Sequence, residues 1–279
     1  MRNIIIMIIA LLAISCTSDE PMRPMAPRLN SGDSIALVAI RDSLLSGVSS
    51  KYQWDYSKPE EMAGVWVKLD SATNQYRVIR LWFPSVGTTD LDNFNAYNPA
   101  TEGARIPKSI GNLTELFQFS IAGEIRGPIP SELFKCPLKY LTIEGLYGPN
   151  GKQDHMEVPL DLIRLKPTIV DIRFNKCNFK KGISREIFIE LAEAPHIRQI
   201  YFMNCHLEGR VYLEYCLPKC SIYFDSNNFD EVDWIIFLNG NYQVPYLRDN
   251  KIDTSNVPES VLESPIWSGL SYRLSNQRL

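Results

Sequence analysis

Histidine is nearly absent from this chain: His155, His196 and His206 are the three it has in 279 residues. Imidazole is the usual general base near neutral pH and the commonest metal ligand, so little material exists for either chemistry, and none of the three sits in a recognisable catalytic frame. An excess of one charge is lacking too. The 29 Lys and Arg against 32 Asp and Glu leave a formal charge of -3, without the basic footprint that phosphate backbones attract, so nucleic acid is not an expected partner. No apolar run reaches the roughly twenty residues of a spanning helix. No Gly-x-Ser-x-Gly elbow occurs. The segment Gly145-Leu146-Tyr147-Gly148-Pro149-Asn150-Gly151-Lys152 fails as a phosphate loop, because Leu146 stands at the first glycine and Gln153 replaces the hydroxyl residue. No cofactor is expected. What the chain does have is a 45% hydrophobic composition, enough to bury a core in one domain or one elongated array.

The first residues read as an address. Arg2 supplies positive charge, Ile4 to Ile14 form a short apolar core, and Ala13-Ile14-Ser15-Cys16 closes it. This ending resembles the lipobox of bacterial lipoproteins. The resemblance implies that residues 1–15 are a signal peptide and that Cys16 is acylated as the new N-terminus, a membrane anchor; an ordinary signal peptide with an incidental cysteine is the alternative. Residues 16–32, with Pro21, Pro24 and Pro27 among short polar side chains, read as a semi-rigid tether. The Asp19-Glu20 pair resembles surface-export signals of some Gram-negative lipoproteins, which places the cell surface ahead of the periplasm for an outer-membrane protein of such a bacterium. Without Cys16 the remaining Cys136, Cys177, Cys205, Cys216 and Cys220 are an odd set, so internal disulfides cannot consume every thiol.

Periodicity emerges from Ile106-Pro107-Lys108-Ser109-Ile110-Gly111-Asn112-Leu113 onward, and Gly127-Pro128-Ile129-Pro130-Ser131-Glu132-Leu133 repeats it. Apolar residues at relative positions one, four and six pick out seven strands: Val78/Leu81/Phe83, Leu116/Phe119/Ile121, Leu138/Leu141/Ile143, Ile169/Ile172/Phe174, Ile197/Ile200/Phe202, Lys219/Ile222/Phe224 and Tyr242/Pro245/Leu247. Their starts lie 22 to 38 residues apart, the longer gaps implying insertions near residues 88–102 and 146–157. The pattern resembles the plant-type leucine-rich repeat. That resemblance implies an α/β leucine-rich-repeat solenoid: a curved parallel sheet on the concave face, an irregular or short-helical convex side, and an N-terminal helical cap. Position nine, usually asparagine in this family, reads Glu124, Leu146, Cys177, Cys205, Asn227 and Asn250. Residues 33–76 are the expected N-terminal cap, with Asp33 or Ser34 capping a helix whose apolar stripe includes Ile35, Val38, Ile40, Leu44 and Leu45. Residues 77–279 are the expected repeats and C-terminal cap, the latter from Val257-Pro258, Leu262, Ile266, Trp267 and Leu270.

Rival chemistry is sparse. Asp154-His155-Met156-Glu157 lacks a spaced partner motif for a metal. Cys205, His206, Cys216 and Cys220 offer zinc ligands by type, but the repeat register turns Cys205 inward and His206 outward, which favours a Cys216–Cys220 disulfide or free thiols. Glu186, Glu190 and Glu193 read as the solvated face of a short outer helix.

Solenoids bind through the sheet's concave face, where position five reads Trp82, Ser120, Thr142, Arg173, Tyr201, Tyr223 and Tyr246. Position three adds Arg80, Gln118, Tyr140, Asp171, Gln199 and Ser221. With strands about 4.8 Å apart, Arg173, Tyr201 and Tyr223 form a ridge beside Asp171 and Gln199. The expected binding set is therefore Trp82, Tyr140, Asp171, Arg173, Gln199, Tyr201, Tyr223 and Tyr246. Aromatic and arginine side chains are the usual anchors of interfaces; the same residues also favour exposed strands without any ligand. The expected activity is binding rather than catalysis, with a protein ligand first and a glycan stacked on the same rings as the alternative.

Overall fold

In each repeat the residues at positions four and six stand on one side of a short strand, and a single strand cannot cover them. Stacking solves this. The computed structural model describes residues 26–45, 52–86, 104–147, 155–179, 182–238, 243–265 and 267–278. Cys16, the rest of the signal segment, residues 17–25 of the tether, the 88–102 insertion, residues 148–154 of the second insertion and Tyr242 lie outside these. Strands β1 (Arg28–Leu29), β3 (Gln75–Val86), β4 (Gln118–Arg126), β5 (Tyr140–Tyr147), β6 (Asp171–Asn175), β7 (Gln199–Met203) and β9 (Ser221–Tyr223) lie side by side in that order, all parallel. Strand β2 (Val65–Asp70) adds antiparallel to β3 as a hairpin. Leu81, Phe119, Leu141, Ile172, Ile200 and Ile222 run in register along the sheet, all buried. This is a leucine-rich-repeat solenoid.

The return segments form the convex side. Pro107, Pro130 and Pro159 precede 3-10 turns at Lys108–Asn112, Ser131–Lys135 and Leu160–Leu165, each with extended backbone at the proline. These turns send Ile110, Leu133 and Leu162 inward. Farther on, helix α2 (Arg185–Ala192) replaces the turn, capped by Ser184 and burying Ile187, Phe188 and Leu191. A second, two-stranded parallel sheet also lies off the main one, from β8 (Glu208–Val211) and β10 (Asn228–Val232). Repeat counting did not pick out this additional pair, since its strands carry no alternating apolar signature.

Asparagine at position nine closes the turns after the last strands. Asn227 Oδ1 accepts the N–H groups of Cys205 (2.9 Å) and Leu207 (3.2 Å), while its amide donates to the carbonyls of Phe202 (2.6 Å) and Phe224 (2.8 Å). Asn250 repeats the arrangement with Phe229, Phe224 and Leu247. Cys177 and Cys205 hold the place of Asn227 two repeats and one repeat earlier, their thiols donating to the carbonyls of Ile143 and Phe174, both at 3.4 Å. Glu124 and Leu146 do not belong to this ladder. There β4 and β5 continue past a bulge and pair directly, Leu146 is buried, and Glu124 meets Arg126 instead at 3.4 Å. The bulge demands Gly145, whose φ is +80° and whose added Cβ would stand 1.9 Å from the Gly123 carbonyl oxygen.

At the N-terminal end, helix α1 (Ser31–Ser43) is capped by Asn30, not by Asp33 or Ser34. The run Asn30-Ser31-Gly32-Asp33-Ser34 offers several capping side chains, and periodicity alone does not choose among them. Asp33 lies inside the first turn, fully buried, where its carboxylate accepts the Val78 N–H (2.6 Å) and pairs with Arg77 (3.2 Å). This bolts the cap to the first repeat. The helix buries Ala36, Leu37, Ile40, Leu44 and Leu45, whereas Ile35 and Val38 face outward. Residues 28–32, assigned to the tether by composition, enter the fold through β1 and α1. The far end is closed by Trp267 against Phe237 (5.8 Å between ring centroids) and by Val257 and Val261; Leu262 is exposed. Ile266 and the Leu270 side chain lie outside the described residues.

Substituting Asn227→Ala removes the side-chain partner of the buried Cys205 and Leu207 N–H groups and the Phe202 carbonyl, while Asn250 still serves the Phe224 carbonyl, so urea unfolding is expected to show a loss of about 2–4 kcal/mol. A loss below about 1 kcal/mol would mean that the ladder does not hold the repeats together.

Candidate binding face

Parallel pairing without register shift has a direct consequence for side chains pointing away from the core. Trp82 sits opposite Ser120, Ser120 opposite Thr142, Thr142 opposite Arg173, Arg173 opposite Tyr201 and Tyr201 opposite Tyr223. An isolated parallel bridge carries the row on to Tyr246. The position-three row runs Arg80, Gln118, Tyr140, Asp171, Gln199 and Ser221 in the same way.

The C-terminal half of the face is a closed column. Tyr201 and Tyr223 stack with centroids 4.2 Å apart and planes 5° from parallel, and Tyr223 and Tyr246 stack at 4.5 Å and 7°. A cation stands at each end: the Arg173 guanidinium lies 4.4 Å from the Tyr201 centroid and that of Arg273 lies 4.3 Å from the Tyr246 centroid. Each ring pair contributes about 0.5–1.5 kcal/mol and each cation contact about 0.5–1 kcal/mol, enough to order these side chains before any ligand arrives. The inward curve of the sheet helps. Rings on this side sit closer than the about 4.8 Å between strands, while on the core side Phe174 and Phe202 are 5.1 Å apart and Phe202 and Phe224 are 6.3 Å apart.

Asp171 orients the first cation. Arg173 donates through Nε (2.9 Å) and Nη2 (2.8 Å) to the two carboxylate oxygens, and Nη2 also reaches Gln199 at 3.3 Å. This forked pair holds the guanidinium above its ordinary pKa, chiefly through the hydrogen bonds to Asp171. Partial burial pushes the Tyr201 phenol up, and a hydrogen bond with Tyr272 does the same for Tyr246. Asp171, Arg173, Gln199, Tyr201, Tyr223 and Tyr246 therefore form one assembly. Trp82 and Tyr140 stand apart on β3 and β5, exposed. Sequence reasoning missed Arg273, which comes from a 3-10 turn (Ser271–Leu274) with no repeat signature, and Tyr272, which meets Tyr246 edge-on at 6.1 Å. It also missed Glu144, paired with Lys176 (3.1 Å) and Asn175 (3.2 Å) two residues beyond the position-five row.

The rival sites dissolve. Cys136, Cys177, Cys205, Cys216 and Cys220 are free and buried, so the disulfide alternative for Cys216 and Cys220 is not the arrangement adopted. Burial pushes the thiols of Cys136, Cys216 and Cys220 up to about 12 and that of Cys205 well above its usual value, so these four stay protonated at neutral pH. Asp154 lies outside the described residues; His155 Nδ1 contacts Asn178 Oδ1 at 2.9 Å. No cluster of three metal-ligating side chains exists among the described residues. Glu190 and Glu193 both pair with Lys166, as a solvated helix face would.

No family model and no curated protein sequence matches the chain. Among solved structures it is similar to a plant ice-binding protein, at 20% identity over 90% of this chain and 71% of that one, with a TM-score of 0.56. It is similar also to the PEPR1–AtPEP1 structure, at 16% identity over 80% of this chain and 29% of that one, with a TM-score of 0.54. The leucine-rich-repeat ectodomain of the receptor kinase SOBIR1 from Arabidopsis thaliana matches at 19% identity over 80% of this chain and 99% of that one, with a TM-score of 0.37. The chain thus spans less than a third of the PEPR1 chain. At these identities the shared property is the solenoid fold, and fold alone does not assign an activity.

The raised phenols make a pH prediction. Their folded-state values exceed those of the unfolded chain, so the stability they carry is complete below about pH 10 and is lost as pH rises through the folded values. Thermal midpoints measured from neutral to strongly alkaline pH should fall less steeply in Tyr201→Phe than in the parent, and an identical slope would remove Tyr201 from the account.

Proposed function

We propose that the protein is a lipid-anchored binding protein of a bacterial cell envelope, without catalytic activity, that recognises a protein partner on its concave face. Cys16 is the anchor in this reading, the host a Gram-negative bacterium, and the outer-membrane surface the location ahead of the periplasm. The observation that carries the binding assignment is the arginine-capped tyrosine column with Asp171 and Gln199 beside it. It is rigid, half-buried and amphipathic: ring edges and phenol oxygens face outward, flanked by a fixed cation and an acceptor. Preordered side chains of this kind lose little entropy on docking a peptide segment, and tyrosine with arginine supplies the anchors.

The same geometry argues against the glycan alternative at this place. A sugar ring stacks on the face of an aromatic ring, and the faces of Tyr201, Tyr223 and Tyr246 are covered by one another and by the two guanidiniums. Edges and hydroxyls are what remain to a ligand, and these suit the backbone and side-chain polar groups of a polypeptide.

Panning a displayed random-peptide library on the whole chain tests the reading. Peptides enriched on the parent are expected to lose about tenfold or more in affinity on Tyr223→Ala and on Arg173→Ala. Enriched peptides that bind all three forms equally, or no enrichment at all, would remove the column as the recognition surface.

A further inference from the structure

At the N-terminal end of the main sheet the last strand has one open side. β2 pairs with β3 alone, and among the described residues no group bonds the outer edge of Val67 or Leu69. The direction of the free groups follows from one bond: Trp82 donates its N–H to the Gly64 carbonyl at 2.9 Å, so Gly64 is turned toward β3. In an antiparallel strand both main-chain groups of a residue point to the same side, and successive residues alternate. The main-chain groups of Trp66 and Lys68 are therefore spent on β3, while those of Val65, Val67 and Leu69 turn outward. The register shift beside Trp66 skips Ile79, so the extra residue belongs to β3 and β2 stays regular along this edge. The Val65 N–H is taken by the Met62 carbonyl. What stays open is the Val65 carbonyl and both groups of Val67 and Leu69.

The side chains of this edge are as incomplete as its backbone. Trp66 and Leu69 are 39% and 42% exposed on opposite faces of the strand. Lys68 is exposed, and among the described residues it has no ion pair. A lysine ordinarily keeps sheet edges apart; here the sequence Val65-Trp66-Val67-Lys68-Leu69 is self-complementary when laid antiparallel on itself about Val67. Trp66 then falls opposite Lys68 of the second strand, Val65 opposite Leu69, and Val67 opposite Val67. Directly opposite Cβ atoms stand about 4.5–5.5 Å apart, within reach of a cation contact between lysine and indole. Arg80 already holds the Trp66 ring, its guanidinium 4.3 Å from the centroid, so the indole is ordered before a second copy arrives. The open backbone groups match in the same register: Val67 N–H meets the Val67 carbonyl and Leu69 N–H meets the Val65 carbonyl, each bond made twice. Centring on Leu69 would set Val67 against Ser71 of the turn, so the register about Val67 is the one that pairs strand with strand. We propose that β2 is the contact of a twofold-symmetric homodimer, paired antiparallel about Val67, which joins two main sheets edge to edge. Such a contact is isologous. It buries less than the about 1,200 Å² of stable interfaces, so the dimer forms in a concentration-dependent way. It lies at the other end of the sheet from the tyrosine column and does not depend on the role of that column.

Sedimentation velocity on the whole chain, from about 1 to about 500 µM, tests it. The parent is expected to pass from monomer toward dimer across this range. Leu69→Pro removes an N–H that points away from β3, so it spares the hairpin bonds and should weaken dimerisation about tenfold or more. Melting curves superimposable on the parent establish that the variant is folded, and Lys68→Glu replaces it if it is not. Register is read by cross-linking in a Cys16→Ser background with oxidised glutathione. Val67→Cys should give a disulfide-linked dimer, because Val67 meets its own copy on the twofold axis, and Leu69→Cys should not. A parent that stays monomeric throughout would leave the edge to a different chain and overturn the proposal. A dimer unaffected by the folded variant, or cross-linking through Leu69→Cys in place of Val67→Cys, would overturn it as well.

Discussion

Backbone pairing between parallel strands in unbroken register is the constraint from which the rest of this molecule follows. Because side chains alternate faces with a period of two, every residue opposite Leu81 is committed to the core and every residue opposite Trp82 to the concave surface, and a slip of one position would exchange the two sets. From Arg173 to Tyr223 the register holds without a bulge. That continuity brings side chains from separate repeats within stacking distance, so three tyrosines far apart in the chain become one object. Along the parallel ladder of the main sheet, the register shifts lie where no column forms, between β3 and β4 and between β4 and β5.

Register in turn depends on what closes each repeat. Asn227 and Asn250 bind groups of two successive repeats at once, so neither turn can shift along the strand without stranding buried donors and acceptors. Asp33 does the same work at the N-terminal end through Val78 and Arg77. Arg273 belongs to the C-terminal closure and also caps the column, since Leu247 donates its N–H to the Arg273 carbonyl while the guanidinium covers Tyr246. The end of the solenoid and the end of the binding surface are therefore one structure.

Six of the seven expected strands and both outward rows were legible in the chain because a period of two, repeated across strongly apolar anchors such as Ile172, Ile200 and Ile222, fixes the inside and hence the outside, whereas the seventh, at Tyr242/Pro245/Leu247, is reduced to an isolated bridge at Tyr246. The degenerate strand at Lys219 could be placed for the same reason. What could not be read depended on contacts without periodicity. The choice of Asn30 over Asp33 as a cap is settled by the buried pairing of Asp33 with Arg77, forty-four residues away. The separate pair of β8 and β10 comes from backbone pairing of segments such as Glu208-Gly209-Arg210, polar enough to resemble a loop. Leu146 falls at the asparagine position by counting, yet strand extension past a bulge returns it to the core. At the site, counting found the tyrosines but not the two arginines as their caps, because a cation over a ring is a matter of rotamer and not of spacing.

The most direct test of the account is the spatial order of the rings in solution, read from nuclear Overhauser contacts with selectively labelled tyrosines. The account predicts cross-peaks between Tyr201 and Tyr223 and between Tyr223 and Tyr246, none between Tyr201 and Tyr246, and upfield shifts largest for the central Tyr223. Contacts from Tyr201 or Tyr223 to the core rings Phe202 and Phe224 in place of one another would mean that the register is slipped and that the column does not exist.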